Sequence, residues 1–155
     1  MKLKRQDQTF GQPTLPGFFQ GLQSGLSIAI GYMPIALAFG LLAKNTGISL
    51  THTVGMSLLV FAGASQFMAL GLLALGTGTV EIVFSTFIVN IRHLLMSMSI
   101  NEKAVPESTL RRLIYAFGIT DEVFAVASTR EGAVGSNYLY GLSLMAYSVG
   151  LLGFI

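Results

Sequence analysis

Apolar residues run in long stretches along this chain, and polar ones gather in a few short clusters between them. Leu22–Ala43 holds no charge, and Ile48–Gly76 follows as a second, longer run. A third run, Val80–Ile100, ends in the polar loop NEKAVPESTLRR (101–112). A fourth, Leu113–Thr129, carries Asp121 and Glu122; after the turn-rich TREGAVGSN (129–137) a fifth extends from Tyr138 to Ile155. A helix needs about 20 apolar residues to cross a hydrocarbon core, and several of these runs approach or exceed that length. The pattern predicts an all-α, polytopic helical membrane protein with about five hydrophobic segments, one or two of them broken or re-entrant. Residues 1–16 read as a polar N-terminal tail and 17–155 as a transmembrane domain. A run that stops mid-hydrophobic at Ile155 reads as truncated.

Composition sharpens this reading. Only 10% of the 155 residues are charged, against about 25% in a typical soluble domain. The absence of cysteine excludes disulfides, thiolate metal sites and cysteine catalysis. The net charge of +2 comes mainly from loop Lys and Arg, which report membrane topology rather than nucleic-acid binding. The basic tail precedes an apolar run too long for a cleaved signal, so it reads as a cytoplasmic N-terminus. With that tail inside and five full crossings, the loop cations divide four against four. If the second run enters and returns on one side, the division becomes six inside and two outside. FAGASQF (61–67) offers a breaking point for such a re-entrant segment; the alternative is a tilted continuous helix. No internal repeat is legible.

Gly17, Gly21, Gly25 and Ala29 recur every four residues, a stripe that lets two helix backbones approach closely. Pro34 withholds an N–H from the carbonyl of Ile30, which reads either as a kink or as an unwound site facing a substrate. Gly63, Ser65 and Gln66 interrupt an oily run; they read as interhelical glue, or as a helix restart whose free N–H groups favour an anion. At 100° per residue, Thr86, Asn90, His93 and Ser97 share one stripe of the third run, and Glu81, Ser85, Arg92 and Ser99 a second. Val83, Phe84, Phe87, Ile88, Ile91, Leu94, Leu95 and Met98 fill a broad apolar arc opposite. A mid-membrane arginine costs roughly 2.5–3.5 kcal/mol on insertion scales, so Arg92 needs a partner. Asp121, Glu122 and an anionic substrate are the candidates, and an ion pair that only fixes register is the structural alternative. GITDEV (118–123) reads as a helix start with Thr120 as N-cap.

The candidate substrate-binding residues are therefore Pro34, Gly63, Ser65, Gln66, Asn90, Arg92 and Asp121, with His93 and Glu122 as proton-coupling candidates. No hydrolase, zincin, nucleotide or dinucleotide fingerprint is present, and two histidines without cysteine make no metal cluster. No enzyme activity, cofactor or metal is expected.

GYMPIALAFGLLA (31–43), SLLVFAGASQFMALGLLA (57–74), VNIRHLLMSMS (89–99) and FGITDEVFAV (117–126), in this order, resemble the AzlC family. The resemblance covers the chain from about Gly17 onward. It implies the large subunit of a two-component exporter of valine, leucine, isoleucine and methionine, a multi-pass protein of the bacterial inner membrane driven by the proton motive force. It also implies a small AzlD-like membrane partner. A non-transporting scaffold or regulatory subunit is the alternative.

Overall fold

The computed structural model describes residues 17–152, and the expected tail and the last three residues lie outside them. The described residues form α1 (Phe18–Asn45), α2 (Leu50–Leu59), α3 (Gly63–Ala74), α4 (Thr79–Lys103), α5 (Thr109–Phe117), α6 (Asp121–Thr129) and α7 (Ser136–Leu152). At 1.5 Å per residue α1 and α4 span roughly 42 and 37 Å, enough to cross a hydrocarbon core of about 30 Å. Their most apolar windows have mean hydropathies of 2.0 and 1.4. The four helices from α2 to α6 that remain are half as long, roughly 14–18 Å, and reach only mid-membrane.

The second and fourth runs both break and fold back. α2 ends at Leu59, and α3 restarts at Gly63 after Phe61 adopts a φ of 42°, a region bulky L-residues rarely occupy. Leu70 of α3 packs in one cluster with Phe39 and Ala43 of α1 and with Ile48 in the α1–α2 turn. Leu73 shares a surface groove with Gly47, Ile48 and Ser49. α3 therefore returns to the face from which α2 entered, making a re-entrant hairpin, hairpin A. This bears out the fold-back of the second run.

The fourth run behaves likewise, although its residue pattern predicts no fold-back. α5 climbs antiparallel to α4: the Tyr115 hydroxyl donates to Asn101 Oδ1 (3.0 Å), and Ser97 Oγ donates to the Ala116 carbonyl (3.5 Å). After Gly118, α6 descends again, and Lys103 Nζ donates to the carbonyls of Ser128 (2.8 Å) and Arg130. Thr120 caps α6, its Oγ1 accepting from Val123 N (3.4 Å), as GITDEV implied. This second re-entrant unit, hairpin B, enters from the face opposite to hairpin A. The helix restarts at Gly63 and Asp121 lie 58 residues apart. Each follows a long helix of opposite sense, so α1 with hairpin A and α4 with hairpin B form an inverted pair.

α7 runs parallel to α1, and glycine sets their spacing. A Cβ on Gly21 would strike the Tyr138 carbonyl oxygen, and one on Gly141 the Phe18 carbonyl oxygen. On Gly25 it would meet Met145 Cβ at 2.7 Å. Two positions of the small-residue stripe are thus spent inside the chain, whereas Gly17 has open space around it. Tyr138, Leu139, Leu142 and Ala146 of α7 form the centre of the main core with Val123, Ala127, Ile119 and Ile100. The apolar arc foreseen on α4 is the open one: Val83, Phe84, Phe87, Ile88, Ile91, Leu94, Leu95 and Met98 are all exposed, as suits contact with lipid.

Candidate functional site

The tips of the two hairpins meet across a cavity of about 290 Å³. Small-molecule pockets run from roughly 300 to 1,000 Å³, so this one suits a small metabolite. Ala62, Gly63 and Ala64 line it from hairpin A; Thr120, Asp121 and Glu122 line it from hairpin B. Both groups open helices, so two helix N-termini with their positive dipole ends converge on one space. α6 already has Thr120 and two acids at its start, whereas no side chain caps α3. The N–H groups at the start of α3 are therefore the better anion donors.

α4 adds the charge. Arg92 Nη2 lies 2.7 Å from Asp121 Oδ2, and the two side chains keep 37% and 44% of their surface open. The pair is reachable rather than sealed. Arg92, which lines the cavity, also has a buried Nε with no hydrogen-bond partner, so one guanidinium donor is unspent. From α1 the Tyr32 hydroxyl lies 2.5 Å from Glu122 Oε2 and 2.9 Å from Thr120 Oγ1. The far wall is apolar: Ile35, Ala36, Phe39, Phe61 and Phe67 line it, Phe39 and Phe67 packing edge to face at 5.5 Å.

Of the residues singled out by sequence, Gly63, Gln66, Arg92, His93, Asp121 and Glu122 line this one cavity. Gln66 is buried there, donating from Nε2 to Ser57 Oγ (3.3 Å). The remaining three lie off the lining. Ser65 is buried and spends its hydroxyl on the Ala62 carbonyl (2.9 Å). Asn90 is partly buried, and its Oδ1 has no partner. Pro34 sits on the exposed side of α1, which runs unbroken through it, so the unwound site read there is absent. Sequence reasoning missed Tyr32 and Ser57. A tyrosine in the charge-free first run was the available signal, since its polar tip requires a partner when buried. Among the described residues no three His, Cys, Asp or Glu side chains gather to hold a metal ion.

Residues 27–155 match the family described as AzlC protein. The chain is 31% identical over 141 residues to the inner membrane protein YgaZ of Escherichia coli, covering 88% of this chain and 58% of YgaZ. It is 39% identical over 132 residues to an uncharacterized membrane protein of Archaeoglobus fulgidus, covering 84% of this chain and 57% of that protein. It is 29% identical over 104 residues to the branched-chain amino acid transport protein AzlC of Bacillus subtilis, covering 67% and 41%. The chain thus spans less than two thirds of the length of these relatives. No solved structure matches it. A family match over most of the chain, on a fold whose two long apolar helices frame paired re-entrant hairpins, makes this helical membrane protein a member of the AzlC family.

Proposed function

We propose that the chain is part of a transporter that exports branched-chain amino acids (valine, leucine and isoleucine, with methionine as a further substrate) across the bacterial inner membrane. The observation that carries this reading is the divided Arg92. One end of the guanidinium pairs with Asp121, Nε is buried without a partner, and the rest of the side chain stays partly open on the cavity wall. A zwitterion fits the arrangement: its carboxylate takes the open part of the Arg92 guanidinium and the uncapped amides around Gly63, and its ammonium takes Asp121. The branched side chain then lies against Phe39, Phe61 and Phe67. The name of the Bacillus subtilis relative supports the substrate class. Substrate sites where oppositely inserted broken helices meet are a recurrent transporter design.

Coupling to the proton motive force would use His93 or Glu122, the imidazole and the second carboxyl on the cavity wall. Lys103, Arg111, Arg112 and Arg130 all belong to the end of the molecule where α1 and α7 begin, and Lys44 to the other. The positive-inside rule places the first face in the cytoplasm. A small AzlD-like subunit is the proposed membrane partner.

The test is efflux of labelled leucine from bacteria loaded with a leucine dipeptide. It compares cells without the protein, cells with the protein and its small partner, and cells with the same pair carrying Arg92→Gln at equal membrane abundance. Efflux above background that disappears in the variant supports the reading. Efflux that survives Arg92→Gln removes the proposed binding role of Arg92, and no efflux from the intact pair removes the transport reading.

A further inference from the structure

One tyrosine bonds to each hairpin tip, in hairpin B beside the Arg92–Asp121 pair, and the two tyrosines stand on the two helices zipped together by glycine. Tyr147 of α7 donates its hydroxyl to the Leu58 carbonyl (2.9 Å). That carbonyl lies in the last turn of α2, where no further helical N–H is available to it. The Tyr147 ring packs on Phe61 at 4.8 Å between centroids, next to the backbone of positive φ. Tyr32 of α1 grips the opposite tip through Glu122 and Thr120. The two contacts are crossed. α1, which leads into hairpin A, holds hairpin B, and α7, which follows hairpin B, holds hairpin A.

We propose that Tyr32 and Tyr147 are positioning residues that narrow the cavity by holding the two hairpin tips, Tyr147 against the face opposite the basic one and Tyr32 against the basic face. The α1–α7 pair is the fixed frame, because Gly21 and Gly141 bring backbone against backbone and leave no side chain to slide. The polar tips are the parts proposed to move, while the apolar face of hairpin B, with Val123 and Ala127, stays packed in the main core. Both contacts are made in this structure, so both tips are held in it, while the cavity stays partly open at Arg92 and Asp121. Releasing one at a time would open the cavity to one face at a time. This assignment rests on the transport reading for its purpose but not for its test.

The chain has no cysteine, so a single reporter can be placed freely. Ala36 is 4% exposed, lines the cavity and belongs to the fixed frame. Ala36→Cys is labelled with a membrane-impermeant maleimide, applied to right-side-out and to inside-out membranes. Tyr147→Phe should raise the labelling rate about fivefold from the face opposite the basic one only. Tyr32→Phe should raise it about as much from the basic face only; fivefold is about 1 kcal/mol, the worth of one hydrogen bond. Phenylalanine keeps both rings, so packing survives. If Tyr32→Phe does not insert stably, Glu122→Ala removes the same acceptor from the hairpin side. Equal rises from both faces, an unchanged rate, or a response in only one of the two variants would overturn the proposal. Labelling needs no substrate, so a failure of the transport reading leaves this result standing, and leucine efflux measured in parallel separates the two.

Discussion

Removing either partner of the Arg92–Asp121 pair separates its structural part from its binding part. At the 4 Å typical of charge centres in such a pair, the attraction is about 4 kcal/mol at an effective dielectric of 20. Desolvation offsets much of it, and with 37% and 44% of the side chains open the pair lies between a buried and an exposed one. Breaking a buried pair costs about 3–5 kcal/mol and an exposed one less than about 1. We therefore expect Arg92→Gln and Asp121→Asn each to lower stability by about 2 kcal/mol. The double variant should lose about 1–2 kcal/mol less than the sum, within the range for residues in contact. The assay is unfolding in detergent micelles, followed by circular dichroism in denaturant, with leucine efflux measured on the same four proteins. The double variant should thus be about as stable as either single or slightly less, roughly 2–3 kcal/mol below the unsubstituted protein rather than about 4, and its efflux should be lost as in the singles. Efflux retained in the double variant would refute the reasoning, because it would make the pair a register lock with no contact to substrate.

Further outcomes follow from other parts of the structure. Arg92→Lys retains a cation for Asp121 but loses the guanidinium fork, so it should keep most of the stability and lose most of the efflux. Gly141→Leu places carbon on the Phe18 backbone and should cost about 3 kcal/mol or more, read as lowered denaturant tolerance, whereas Gly17→Ala, with open space around it, should be near neutral. Thr120→Val removes the α6 cap and a Tyr32 contact and should cost about 1 kcal/mol in the same assay. Glu107, in the loop outside the membrane, accepts from Ser136 Oγ (2.5 Å) and Ser136 N (3.2 Å), and these bonds hold its pKa below the ordinary 4.5. Its contribution is present above that value and lost as pH falls through the lower folded one. Glu107→Gln should therefore flatten the acid limb of a stability–pH curve and leave its slope near pH 7 unchanged.

The long helices were legible because they depend on local composition: the charge-free first run and the two-sided third run each specify a helix and its faces. Even the exposed arc of α4 was readable, residue by residue, from a 100° projection. The break at FAGASQF could be located from its small polar residues. The fold-back of hairpin B could not, since α5 and α6 join through Gly118–Thr120, which reads equally as a cap within a crossing segment. Its direction is fixed by contacts such as Lys103 with Ser128, set by tertiary packing. The inverted pairing was invisible for a related reason. At the 58-residue offset Gly63 answers to Asp121 and Ala64 to Glu122, so the halves share geometry while carrying opposite chemistry. Arg92, His93, Asp121 and Glu122 stood out as costly charges in oil. Tyr32 escaped because its cost is concealed until its partner on another helix is known. Pro34 misled, since a membrane helix can absorb a proline on its outer side without unwinding.

Equilibrium binding of labelled leucine to the purified protein with its small partner, by scintillation proximity, tests the central claim most directly. The comparison is with Ala36→Phe, which pushes a ring into the cavity from the fixed frame. Binding should be saturable in the unsubstituted protein and at least tenfold weaker in the variant, with both proteins equally folded. Saturable binding of equal strength in the two would place the amino acid elsewhere and contradict the central claim.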